Sequence, residues 1–151
     1  VKQKLFIIGI WVIALGVIII GYRLISPLFV DVMINEEMPE GAKKVEPVVF
    51  GEGKFLGVSG HSAFGTAKLF ALGDEHYIRF EDDFKITNGP DLFVYLGKNG
   101  RYDSNANLGS LKGNIGAQNY VIPKELNPAD YDSVWVWCRA FHVGFGVASL
   151  K

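Results

Sequence analysis

Cysteine occurs once in these 151 residues, at Cys138, which rules out an intrachain disulfide and leaves the fold to stand on its packed core. Charge of one sign is equally scarce. Fifteen Lys plus Arg stand against 16 Asp plus Glu, a net charge of -1, and no basic stripe is present to neutralise a run of phosphates, so nucleic acid is not an expected partner. The chain has no G-x-S-x-G elbow, no H-E-x-x-H pair and no C-x-x-C, so hydrolase and zinc-enzyme readings lack a starting set of residues. Enzyme status therefore stays open, with a redox component as the one enzymatic role in view. There is neither an internal repeat nor a low-complexity tract, which argues against a solenoid or a stalk.

A long apolar run is present, and it sits at the start. From Leu5 to Tyr22 the chain reads LFIIGIWVIALGVIIIGY without a charge. As a helix this run is about 27 Å long, close to the hydrocarbon thickness of a bilayer. Apolar residues surround the helix on every side, so the stretch does not suit the surface of a soluble protein. Lys2 and Lys4 precede it and acidic residues begin at Asp31, a bias that puts the N-terminus in the cytoplasm and the rest outside. The following RLISPLFVDV has no small-x-small cleavage site, so the segment is expected to remain as an uncleaved signal anchor. The expected organisation is a cytoplasmic N-terminus at 1–4, a transmembrane anchor at 5–30, an acidic linker at 31–47 and a β domain at 48–151. The protein would be a single-pass protein of the cell membrane, partnered with the membrane through that helix. The linker, with Glu36, Glu37, Glu40, Glu46, Lys43, Lys44, Pro39 and Pro47, reads as a solvated spacer.

Beyond Pro47, apolar residues alternate, and short runs are punctuated by Gly, Asn, Asp and Pro, the pattern of strands joined by tight turns. Strands are expected at Lys54–Val58, Gly65–Leu72, His76–Phe80, Leu92–Leu96, Asn119–Ile122, Ser133–Cys138 and Phe145–Leu150. The fold class is all-β, a small antiparallel sandwich or barrel preceded by one transmembrane helix. Period two puts Val134, Val136 and Cys138 on one face of their strand and Trp135, Trp137 and Arg139 on the other.

Four blocks carry a family likeness: GHSAFGTAKLF (Gly60 to Phe70), RFEDDFKITNGPDLFVYLG (Arg79 to Gly97), LGSLKGNIGAQNYVIP (Leu108 to Pro123) and SVWVWCRAFHVGFGVASL (Ser133 to Leu150). Together they resemble the DM-thirteen domain of the Skeletor type, over about the C-terminal hundred residues, one domain in size. The resemblance implies a β domain of extracytoplasmic redox or electron transfer, working through a cysteine as thiol or as ligand to a prosthetic group. Here that cysteine is Cys138, and the implied partner is a redox protein.

Read from the residues alone, Cys138 in a core strand also behaves as a small hydrophobe, because a reactive thiol needs exposure and a neighbouring cation. Arg139 is adjacent but belongs to the opposite face. As a ligand, Cys138 has His142 four positions on and His61 in the GHS turn, a loose copper-like set without an axial methionine. A haem would lack the C-x-x-C-H attachment. Copper or haem is thus the cofactor class in view, on Cys138, His142 and His61. His76 reads as a hydrogen-bonding residue. Asn88-Gly89-Pro90-Asp91 reads as a tight turn with Gly89 at positive φ, and Gly109, Gly113 and Gly116 read as bulges or loop turns. Trp135, Trp137, Phe141 and Phe145 read as an aromatic wall. The alternative function is a cell-surface binding or adhesion module with a structural buried cysteine, contacting a partner protein through the loops near Asn88–Asp91 and Leu108–Asn119.

Overall fold

The computed structural model describes residues 2–26, 29–43 and 45–150; the side chains of Lys2, Leu5, Phe6 and Leu24 also lie outside the described set. Helix α1 spans Lys2–Ile25. Its apolar side chains face outward all round, with Ile7, Ile10, Trp11, Ile13 and Ile18 each at least half exposed. Among the described residues no helix is long and apolar enough to cross a membrane, and within α1 the unbroken run of described side chains is Ile7 to Arg23. The anchor expected at 5–30 includes Pro27 and Leu28, and the linker's Lys44 likewise lies outside the described residues.

Ten strands follow: β1 (Val48–Gly57), β2 (Ala63–Phe64), β3 (Thr66–Leu72), β4 (Glu75–Phe80), β5 (Lys85–Ile86), β6 (Leu92–Lys98), β7 (Arg101–Ser110), β8 (Gln118–Ile122), β9 (Ser133–Cys138) and β10 (Val143–Ser149). Eight form one antiparallel sheet in the order β7-β6-β9-β10-β1-β3-β4-β8, and β7 approaches β8, so the sheet is a nearly closed barrel. The small β2-β5 ribbon sits at one end. Alternation drives the closure. Ala67 and Leu69, Ile78 and Phe80, Val94 and Leu96, and Val134, Val136 and Cys138 all point inward and are buried. Phe55, Phe80 and Phe84 meet at the centre with ring centroids 4.6–5.0 Å apart. Each such buried side chain stabilises the fold by roughly 1.5–3 kcal/mol.

The turns set two ends. At one end, which we term lower, Gly73 turns β3 into β4, and Asn99-Gly100, both at positive φ, turns β6 into β7 as a primed hairpin turn wants. At the other, upper end lie the segments 58–65, 81–91, 111–117 and 139–142.

Residues 31–42 are not a free spacer; they form a strap along the barrel. Ile34 N–H donates to the Ile115 carbonyl, Ile115 N–H to Val32 and Glu36 N–H to Ala117, a short parallel pairing that starts at the upper end. The Glu36 carboxylate takes the Asn119 backbone N–H at 2.7 Å and Lys112 Nζ at 2.7 and 2.9 Å, which covers the open edge of β8. Further down, Met38 and Ala42 pack on Phe70, Leu72 and Tyr77, which point away from the barrel interior and would otherwise be bare. The linker was expected in solvent because it is acidic. Two of its carboxylates, Asp31 and Glu36, are instead groups that dock it.

Candidate functional site

The upper end gathers the segments on which chemistry was expected. Cys138 closes β9, fully buried, with Leu92 of β6 opposite on one side and Val143 of β10 on the other. The loop before Leu92 is clasped to the residue after Cys138. Arg139 N–H donates to the Asp91 carbonyl at 3.0 Å, and the Arg139 guanidinium makes two bonds to the Asp91 carboxylate, at 3.2 and 3.3 Å. The same guanidinium lies 3.5 Å above the Phe93 ring, so the cation is held on the outer face and does not serve the thiol.

His61 and His142 are not gathered around that sulfur. His61 stacks on Phe145, centroids 3.6 Å apart and planes 11° apart. His142 is exposed in the β9-β10 turn at φ 52, with Phe141 beside it, also exposed. Among the described residues no three His, Cys, Asp or Glu side chains are grouped to hold a metal ion. Cys138, His142 and His61 therefore do not form a ready-made three-ligand set for copper among the described residues. His76 lies at the lower end, against Phe50. The four-residue aromatic wall is divided three ways: Phe145 is inside, Phe141 is at the tip, and Trp135 and Trp137 are on the outer face, where Trp137 stacks on Tyr102 at 4.0 Å. A bulge between Gly144 and Gly146 accounts for Phe145 turning inward.

Above the Cys138–Leu92 pair is a cleft of about 230 Å³, floored by Gly89, Pro90 and Leu92, walled by Ser110–Asn114 and closed on one side by Val30 and by Val32 of the strap. Its two loops are built by close approach. Gly89 does not use positive φ, as the turn reading expected; a Cβ there would stand 2.9 Å from both Leu92 and Phe145. Gly116, at φ 91, is the loop-turn glycine expected, and both it and Gly113 serve a further purpose. A Cβ on Gly113 would meet the Val32 carbonyl at 2.5 Å and one on Gly116 the Ile34 carbonyl at 2.2 Å, so both make room for the strap backbone.

Sequence reasoning missed the polar frame beneath these loops. Gln118, fully buried, accepts from the backbone N–H groups of Lys112 and Gly113 at 3.2 Å each and from the Tyr120 hydroxyl at 2.6 Å. Its amide donates to the carbonyls of Gly113 and Gly116. Burial pushes the Tyr120 hydroxyl far above its ordinary value, so it stays a neutral donor. Asp31 accepts from Asn114 and Asn88 at 2.8 and 2.9 Å, and those two bonds, Asn114 first, hold its carboxyl low. Partial burial pushes the Glu36 carboxyl up, but bonds from Lys112 and from the Asn119 backbone outweigh it and leave it low. Asp83 behaves alike: burial raises it, and Lys54 and Thr66 pull it below its ordinary value. The only signal for this frame was the polar run K-G-N in a block otherwise read as loop.

These features define a small β-barrel domain with one buried thiol under a clasped loop. The family model for electron transfer DM13 matches residues 55–150, nearly the whole barrel, and the chain belongs to that family. Helix α1 and the strap lie outside the matched residues. No curated protein and no solved structure matches the chain.

Proposed function

We propose that this chain is a membrane-tethered, extracytoplasmic electron-transfer domain in which Cys138 is the redox-active group. One observation carries the reading: Cys138 is the only thiol of the chain and lies inside the residues matched by an electron-transfer family. Tethering rests on the uncharged run from Leu5 to Tyr22 and on the outward-facing apolar side chains of α1. The extracytoplasmic side rests on Lys2 and Lys4 ahead of that run.

Because Cys138, His61 and His142 are not grouped as a metal-binding set among the described residues, the chemistry taken for Cys138 is that of the bare sulfur. The Cys138 thiolate attacks a partner disulfide, one S–S bond forms as the partner's own breaks, and the departing sulfur leaves as a thiolate with the electron pair. The proton of Cys138 passes to solvent. Access comes from opening of the Arg139–Asp91 clasp, a local event at the barrel end rather than unfolding of the domain.

The test is release of chromophoric thiolate from an aryl disulfide by the full chain in detergent. Wild type is expected to release it stoichiometrically, Arg139→Ala faster, and Cys138→Ser not at all. Release no faster than global unfolding in both wild type and Arg139→Ala would refute the thiol reading. A visible absorption band lost in Cys138→Ser would replace it with a prosthetic group. Complete burial of Cys138 favours a second reading, a binding or adhesion module in which the sulfur only packs. On that reading Cys138→Ala would leave every partner interaction unchanged.

A further inference from the structure

We infer that the upper end of the barrel, not the lower, rests on the membrane, and that its exposed phenylalanines enter the lipid interface. This inference builds on the tether through α1. A free linker of 31–47 would let the barrel tumble, presenting any face to the bilayer. The strap removes that freedom. Its first residue, Asp31, is bonded to Asn88 and Asn114 at the upper end, and Val32 N–H is bonded to the Asn114 side chain at 2.7 Å. Helix α1 ends at Ile25. The chain between Ile25 and Asp31 reaches at most about 20 Å, at 3.3–3.6 Å per residue. The upper end therefore stays within that distance of the helix terminus, whereas the lower end is a barrel length further away.

The surface at that end matches a lipid interface. Phe29, Phe64 and Phe141 are exposed to 79%, 61% and 64%, and Met33 to 74%. Lone exposed apolar residues are ordinary, but these come from three separate chain segments that all lie at one end. Of the ionised groups there, Asp83, Asp91, Lys54, Lys112 and Arg139 are paired with one another or with the strap, whereas Asp82 and Lys85, the latter opposite Phe64, are exposed and form no ion pair among the described residues. The cleft beside Val30 and Val32 would then open toward the interface, at the level of lipid headgroups.

The experiment uses the full chain in phosphatidylcholine vesicles that carry a headgroup-depth nitroxide lipid. An environment-sensitive thiol fluorophore is placed singly at Phe64→Cys or Phe141→Cys, and at Asp74→Cys on the lower end, each in a Cys138→Ala background so that the introduced thiol is the one labelled. Quenching at 64 and 141 is expected to exceed that at 74 several-fold, and strap release by Glu36→Lys is expected to reduce the difference. Equal quenching at all three sites on vesicle-bound chain would overturn the orientation and leave the tether standing. Failure of the chain to bind vesicles would overturn the tether, and the orientation with it.

Discussion

Replacing Gln118 by leucine tests whether the polar frame under the upper loops holds them in place. Leucine fills nearly the same volume, so the change is chiefly the loss of one acceptor and two donors. Lys112 N–H keeps a partner, because the Tyr120 hydroxyl oxygen also stands 3.1 Å from it. Gly113 N–H and the Tyr120 O–H lose the acceptor they have now, and the carbonyls of Gly113 and Gly116 lose a donor. A buried donor left unsatisfied costs about 1–3 kcal/mol, so two cost about 2–6. The apolar gain of leucine offsets about 1–2 kcal/mol of that, leaving a net loss of about 1–4 kcal/mol. Urea unfolding followed by tryptophan fluorescence measures it, and amide exchange over 111–117 locates it. Tyr120→Phe alone is expected to cost about 1 kcal/mol, and the double variant less than the sum, since the two residues share one network. If Gln118→Leu unfolds within about 0.5 kcal/mol of wild type, the typical range for an ordinary surface change, the frame does not hold the loops.

Acid is expected to loosen the strap before it unfolds the barrel. Because the folded Glu36 carboxyl lies below its ordinary value of 4.5, its contribution is present above that pH and is lost as pH falls through the lower, folded value. Asp31 follows the same sign from its ordinary 3.8. Pepsin cleavage within 31–47 as a function of pH reads the release, and Lys112→Ala should move its onset to higher pH; an unchanged onset would discount the Glu36–Lys112 contact. Gly116→Ala is expected to detach the strap at neutral pH. Its φ of 91° costs an L-residue about 1–2 kcal/mol, and its Cβ collides with Ile34. Fast exchange at the Ile34 and Glu36 amides marks detachment, whereas retained protection there would show that the strap tolerates the intrusion.

The barrel strands were readable where a strand has one buried face. β9 was expected at Ser133–Cys138 and lies there; β3, β4, β6 and β8 shift by one or two residues at one end, and β10 starts two residues earlier and stops one residue earlier than expected. β7 escaped notice because RYDSNANLGS buries a single side chain, Ala106, and a strand at the sheet boundary with polar residues on both faces has no period to read. β2 and β5, two residues each, are fixed by tertiary pairing alone. β1 begins six residues before the expected Lys54, since Val48, Val49 and Phe50 are exposed in spite of being apolar and show no alternation.

The site was legible in its residues but not in its geometry, and the strap explains why. Burial and alternation are properties of a local window, so Cys138 could be placed in a core strand from SVWVWC alone. Whether it meets His61 and His142 depends on a bulge at Phe145 and on turns whose direction no local period encodes. The strap is harder still, because its affinity resides in complementarity between two distant segments: an acidic stretch read as solvated, and a glycine loop read as turns. Each is bland alone. Together, Glu36 answers Lys112 and Asn119, while the missing side chains of Gly113 and Gly116 admit the strap backbone. It follows that the segment leading from α1 and the loops over Cys138 act as one unit. Asp31 of the strap is bonded to Asn88, two residues before the Pro90-Asp91 step that clasps Arg139. On the proposed function, weakening the strap should speed thiol exchange at Cys138 as well as free the barrel.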